Sequence, residues 1–186
     1  MTSDLSDLTL FIIGTVTLVW LSRKSLRRPG RHGFYRFFAW EMILGLVLLN
    51  RGPWGENPAS LHQSVSWGLM LLSILLVVLG HNALRRQGAA SEARDDDALY
   101  AFEKTTALVT GGIFQYIRHP MYTSLLALAW GAYFQAPSWP GTALAGLASL
   151  LLLLTAKADE NECLAYFGQP YADYMQRTRR FIPYLF

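Results

Sequence analysis

Fifteen of the sixteen Lys and Arg residues in this chain fall on one side of five apolar segments, in or beside alternate connections and in the tail. Few folds admit that pattern. The segments occupy residues 8–21, 34–50, 65–79, 121–135 and 141–158. A bilayer core about 30 Å thick takes roughly 20 mostly apolar residues of helix. The 186 residues therefore predict an all-α integral membrane bundle of about five transmembrane helices, with a C-terminal cytoplasmic helical tail. Composition agrees: 52% of residues are hydrophobic and only 16% charged, too apolar for a water-soluble domain.

The charges also orient the bundle, because Lys and Arg are retained on the cytoplasmic side. Arg23, Lys24, Arg27, Arg28, Arg31 and Arg36 lie around the first gap, and Arg85, Arg86, Arg94, Lys104 and Arg118 in the third. Lys157, Arg177, Arg179 and Arg180 follow in the tail, whereas the second gap holds only Arg51 and the turn at 136–139 none. The N-terminus is thus expected outside, the C-terminus and any site among these charges on the cytoplasmic side, in an inner or plasma membrane. Asp4 and Asp7, not a basic run, precede the first segment, and no small-residue cleavage pattern follows it before Arg23, so it reads as a retained span. Cys163 is the single cysteine, which excludes an intramolecular disulfide and a thiolate metal cluster. His32 and His62 read as loop histidines without metal-ligand spacing, so no metal is expected. Basic residues beside a membrane contact lipid headgroups, and nothing suggests nucleic acid.

The chain reads as one membrane domain, three spans in residues 1–84 and a second half over 98–186 that carries the chemistry. Residues 91–97 read as a loop and 98–106 as a short interfacial helix using Leu99, Tyr100 and Phe102. In the tail, a helix from Lys157 is stopped at Gly168, and Pro170 begins another with Tyr171 and Tyr174 on one side. The short turn near Ser138 makes the last two spans antiparallel neighbours. Arg118 lies 20 residues before Ser138 and Glu160 lies 22 after it. At about 1.5 Å per residue, Arg118, His119 and Glu160 should meet at one mouth of the hairpin.

Pro120 suits the first turn of a helix, which places Arg118 and His119 just ahead of it. A helix start beside an Arg favours a carboxylate or phosphate, and Glu160 can pair with an ammonium or accept from hydroxyls. Together they would cradle an amphoteric ligand such as an amino acid or nucleoside conjugate. The plainer alternative leaves Arg118 and His119 as headgroup anchors and Glu160 as a solvated residue.

The run Leu108-Val109-Thr110-Gly111-Gly112-Ile113-Phe114-Gln115-Tyr116-Ile117-Arg118-His119-Pro120-Met121-Tyr122, then a hairpin, Asp159-Glu160, Leu164, Phe167-Gly168, Tyr171 and Tyr174, resembles the isoprenylcysteine carboxyl methyltransferases and the related phospholipid N-methyltransferases. The resemblance covers about the last 85 residues. It implies a membrane-embedded methyltransferase that uses S-adenosylmethionine and a lipid or other amphiphilic acceptor. It further implies that Leu108, Val109, Phe114, Tyr116, Arg118, His119, Pro120, Met121, Tyr122 and Glu160 bind the cofactor, with His119, Glu160 and Arg118 as the catalytic group. The chain also lacks the Gly-rich strand-to-helix fingerprint and the alternating strands of a Rossmann-type fold. Two features depart from the family: Phe114 stands where Tyr is frequent, and Thr155 and Ala156 occupy the places where carboxyl methyltransferases carry an Arg.

Methyl transfer from a sulfonium needs in-line placement and exclusion of water, while an ammonium acceptor must first lose a proton. His119, Glu160 and Glu162 are the candidates for that proton. Glu41, Lys157 and Glu162 are expected on the substrate side, although Glu41, inside the second span, equally suits a structural pair with a basic loop residue. His81 and Asn82 end the third apolar segment and read as interfacial. The competing readings are a phospholipid amine N-methyltransferase, a nicotinamide-dependent reductase with a similar Arg-His-Pro segment, and an inactive scaffold or lipid-binding protein.

Overall fold

The computed structural model describes residues 2–52, 54, 56, 59–89 and 104–185. Six α-helices follow one another: α1 (Thr2–Leu26), α2 (His32–Leu49), α3 (Leu61–Gln87), α4 (Pro120–Gln135), α5 (Trp139–Phe167) and α6 (Gln169–Arg177). One 3₁₀ turn, Gly112–Gln115, precedes α4. The loop expected at 91–97 and most of the interfacial helix expected at 98–106 lie outside the described residues, and 104–106 are not helical.

Local chemistry explains where the helices stop. Gly30, at φ +85°, turns the chain between α1 and α2. The Ser138 hydroxyl accepts from the Gly141 amide at 3.2 Å and caps α5, whose first turn holds Pro140. Gly168, at φ +64°, ends α5 and starts α6. The helix expected to begin at Lys157 is instead the unbroken continuation of α5, because nothing between Ala158 and Phe167 interrupts the helical pattern. The third segment likewise extends to Gln87.

The described chain is an integral membrane helical bundle. Four helices, α1, α2, α3 and α5, are long and apolar enough to cross a membrane. The exception is α4, whose 16 residues rise about 24 Å, short of a 30 Å hydrocarbon core. It is sheltered against α3, α5 and α2, so its backbone does not have to meet lipid over the full thickness. By contrast α1 packs mainly on α2 and is almost wholly exposed along its apolar length.

Small side chains let the inner helices approach. Ala129, Ala132, Ala145 and Ala148 are fully buried with Ile43, Leu46 and Met70. Several polar groups enclosed with them are paired, since each hydrogen bond left unmade in hydrocarbon costs free energy. Ser66 donates to the Gly131 carbonyl at 2.6 Å and accepts from Gln135 Nε2 at 2.7 Å, and Asn50 Nδ2 donates to the Ala132 carbonyl at 2.8 Å. This cluster lies at the end of the bundle away from the tail, where Arg51 also pairs with Asp7 at 2.9 Å. Glu41 is buried on α2, and Thr15 of α1 donates to its Oε2 at 2.8 Å. Its recorded partner is therefore a hydroxyl of the neighbouring helix.

A Cβ on Gly131 would stand 3.0 Å from Met70 Cγ and 3.3 Å from both the Met70 amide nitrogen and the Ser66 carbonyl oxygen. Gly131→Leu is therefore expected to push α3 from α4 and to cost about 1–3 kcal/mol, read as a lower unfolding midpoint in detergent. An unchanged midpoint would show that this seam is not close-packed.

Candidate active site

The hairpin of α4 and α5 brings Arg118, His119 and Glu160 into hydrogen-bonding distance. Arg118 reaches Glu160 with Nε at 2.9 Å and Nη2 at 2.8 Å from Oε1. From the other side Arg180 donates to the same carboxylate, Nε to Oε1 at 3.1 Å and Nη2 to Oε2 at 2.6 Å. His119 Nε2 lies 3.3 Å from Oε1 as well. The Glu160 side chain is only 5% exposed, so three cationic partners neutralise a carboxylate that would otherwise be costly to bury.

This knot fastens the tail. After α6 the chain turns back, and Ile117 and Arg179 form an isolated parallel bridge. The Arg118 and His119 amides donate to the carbonyls of Arg179 and Arg180 at 2.8 and 3.2 Å, and the Arg179 amide donates to Tyr116 at 3.3 Å. Arg118 Nη1 also donates to the carbonyls of Met175 and Thr178. Tyr174 adds a hydrogen bond from its hydroxyl to the Phe114 carbonyl at 2.6 Å. Burial pushes the phenols of Tyr171 and Tyr174 above their usual range, so both remain neutral.

Between the hairpin mouth and this tail lies a cavity of about 120 Å³. Of the residues that the resemblance assigns to the cofactor, Leu108, Val109, Phe114, Arg118, His119, Pro120, Met121 and Tyr122 line it, while Tyr116 is exposed and meets the tail through its backbone. Glu160 sits behind the wall. The carboxylate on the wall is that of Asp159, which accepts from the Tyr122 hydroxyl at 3.1 Å and faces His119 Nδ1 at 3.4 Å. Cys163 and Phe167 follow Asp159 at helical spacing and complete the α5 face. His32, Leu84, Thr105, Tyr171 and Tyr174 close the remaining sides.

The expected substrate residues are dispersed. Lys157 is exposed on α5, and Glu41 lies on the α1 side of α2. Glu162 stands next to the cavity, 2.8 Å from His32 Nδ1. His32 is not a loop residue: it opens α2 and is 2% exposed. His81 and Asn82 point away, and their neighbours Ala83 and Leu84 are the positions that pack inward.

Each nitrogen of His119 faces a carboxylate. Burial alone would lower its pKa, but the hydrogen bonds and charges of Asp159 and Glu160 outweigh that and raise it above the ordinary 6.5. Both nitrogens then act as donors.

Fold and cavity together define a helical membrane protein whose own tail covers a mixed polar and apolar site at one end. A family model described as phospholipid methyltransferase matches residues 61–169, more than half of the chain, and the chain belongs to that family. It is a membrane methyltransferase. No curated protein and no solved structure matches it.

Glu160→Ala leaves Arg118 and Arg180 without their shared carboxylate and is expected to destabilise by about 3–5 kcal/mol, measured by chemical or thermal unfolding in detergent. The His119 contribution has the opposite pH dependence to that of a paired acid. With its folded pKa raised, it is fully present below pH 6.5 and is lost as pH rises through the raised value. The unfolding midpoint of the native chain should therefore fall above pH 6.5 relative to His119→Gln. Parallel curves for the two proteins would show that the imidazolium contributes nothing.

Proposed function

We propose that this membrane methyltransferase uses S-adenosylmethionine and methylates an amphiphilic, lipid-like acceptor at the cytoplasmic surface. The cavity's mixed chemistry carries the reading. Leu108, Val109, Phe114 and Met121 offer apolar surface to a nucleobase, Asp159 offers a carboxylate to a cationic centre, and Arg118 and His119 offer positive charge to a carboxylate. A nucleoside conjugate with a sulfonium and an amino-acid end needs all three. When bound, S-adenosylmethionine supplies an activated methyl group and a neutral leaving group. The protein is left to seat, align and keep dry the reacting atoms, which is where most of the rate gain arises.

The acceptor's hydrocarbon has a separate berth: an apolar groove of about 450 Å³ on α3 and α4, between Trp67, Met70, Ile74, Val77 and Leu128. Leu84, on the cavity wall, is six residues beyond Val78 of that groove, or about 9 Å along the same helix. An amphiphile can therefore keep its tail at the lipid side and its headgroup at the cavity.

The acceptor is read as isoprenylcysteine-like or as a phospholipid amine, and the packing of α5 favours the second. Thr155 and Ala156, where carboxyl methyltransferases carry an Arg, are fully buried, and the Thr155 hydroxyl donates to the Leu151 carbonyl at 2.8 Å. Neither can orient an acceptor carboxylate. The basic residues at the tail end of the bundle, Arg23, Arg31, Arg85, Arg86 and Arg177 among them, support the cytoplasmic placement.

Calorimetric titration of the purified protein with S-adenosylmethionine tests the reading. Saturable binding is expected, weakened about tenfold or more by Asp159→Asn, in line with loss of a charged hydrogen-bonding partner worth about 1.5–3 kcal/mol. Absence of saturable binding to the native chain, with and without lipid, would overturn it.

A further inference from the structure

Three phenols line the cavity, those of Tyr122, Tyr171 and Tyr174. Two of them are committed within the protein. The Tyr122 hydroxyl donates to Asp159 Oδ2 at 3.1 Å, and the Tyr174 hydroxyl donates to the Phe114 carbonyl at 2.6 Å. Tyr171 is as enclosed as the others, at 4% exposed, yet its hydroxyl has no hydrogen-bond partner among the described residues.

The position of that hydroxyl is set by the ring that carries it. Tyr171 and Tyr174 are three residues apart on α6, which puts both on one face of the helix. The Tyr171 ring stacks on Phe167 with centroids 6.5 Å apart and meets the Tyr174 ring edge-on at 5.8 Å. The ionisable groups that bear on its oxygen are Cys163, Asp159, Glu160 and Arg118. Three of these, Cys163, Asp159 and Arg118, are wall residues, so the hydroxyl lies toward the cavity. A hydroxyl that is enclosed by protein but not paired by it costs free energy, and a ligand that bonds it removes that cost.

The other groups of the wall say which part of a ligand this is. Asp159 suits a cationic centre, Arg118 and His119 suit a carboxylate, and Leu108 and Val109 suit the face of a base. A nucleoside conjugate still has its ribose diol to match. Each of those hydroxyls is neutral and both donates and accepts, and a neutral phenol does the same. Resting on the cofactor reading above, we propose that the Tyr171 hydroxyl hydrogen-bonds the ribose diol of S-adenosylmethionine, so that the tail is part of the cofactor site as well as its cover. Tyr171 lies beyond residue 169, where the family match ends, so this contact comes from outside the matched segment.

The test is calorimetric titration of the purified full chain in phosphatidylcholine vesicles with S-adenosylmethionine, S-adenosylhomocysteine and the dideoxyribose analogue of S-adenosylhomocysteine. Tyr171→Phe removes the hydroxyl alone and is expected to weaken the first two by about three- to tenfold, the worth of one neutral hydrogen bond. The analogue, which has no diol, should bind Tyr171→Phe and the native chain equally. The unfolding midpoint separates this role from a structural one. Tyr171→Phe should not lower it, because no bond within the protein is lost, whereas Tyr174→Phe should, because the bond to Phe114 is. Unchanged affinity in Tyr171→Phe, or a loss that persists undiminished with the dideoxyribose analogue, would overturn the proposal. Should Tyr171→Phe fail to fold, the native chain still tests it, since equal affinity for S-adenosylhomocysteine and its dideoxyribose analogue would also overturn it. Failure of the native chain to bind S-adenosylmethionine would instead overturn the underlying reading.

Discussion

One buried carboxylate organises the functional end of this protein. Glu160 accepts from Arg118 at the start of α4 and from Arg180 after α6, with His119 beside them. A carboxylate in that setting is tolerable only with its cations in place, and the cations are equally dependent on it. The result is that three stretches far apart in sequence, 116–119, 159–160 and 178–181, are locked in one arrangement. The backbone bridge between Ile117 and Arg179 and the Tyr174 hydrogen bond to Phe114 follow from that placement. Without the knot there is no cover over the cavity.

The knot also separates two roles that adjacent residues take. Glu160 is turned into the joint between hairpin and tail, while Asp159, one helical step away, is turned to the cavity. His119 lies between the two carboxylates and stacks on Tyr122 with ring centroids 5.3 Å apart. The joint is structural and the wall is chemical. The family match ends at residue 169 and begins at 61, so both the tail that closes the site and His32, which completes its wall, come from outside the matched region. The matched segment supplies the hairpin mouth.

Much of this was legible in the sequence. Apolar runs and alternating basic gaps gave the helices, because hydrocarbon thickness and charge retention are strong constraints that act segment by segment. Nearly equal chain lengths on either side of Ser138 gave the meeting of Arg118, His119 and Glu160, since helical rise is nearly constant. Choosing Glu160 over Asp159 for the wall needed the rotation of α5, and length arithmetic carries no rotation. The spacing 159, 163, 167 did hold that signal, with Asp159, Cys163 and Phe167 on one helical face. The pairing of His32 with Glu162 spans 130 residues and has no local signature. The return of Arg179 and Arg180 along Tyr116 to His119 was equally hidden, because isolated backbone pairing leaves no periodic pattern. The short α4 could be read as marginal, but its shelter by three neighbours is a property of the packed bundle.

The tail is fixed to the hairpin mouth through Glu160 and covers the site. Amide hydrogen exchange of the full chain in lipid vesicles measures this most directly. The Arg118, His119 and Arg179 amides, which are bonded across the joint, are expected to exchange as slowly as helical amides of α5 and to quicken together when Glu160 is replaced by Gln. Exchange of these three amides at the rate of a free peptide in the native protein would contradict it.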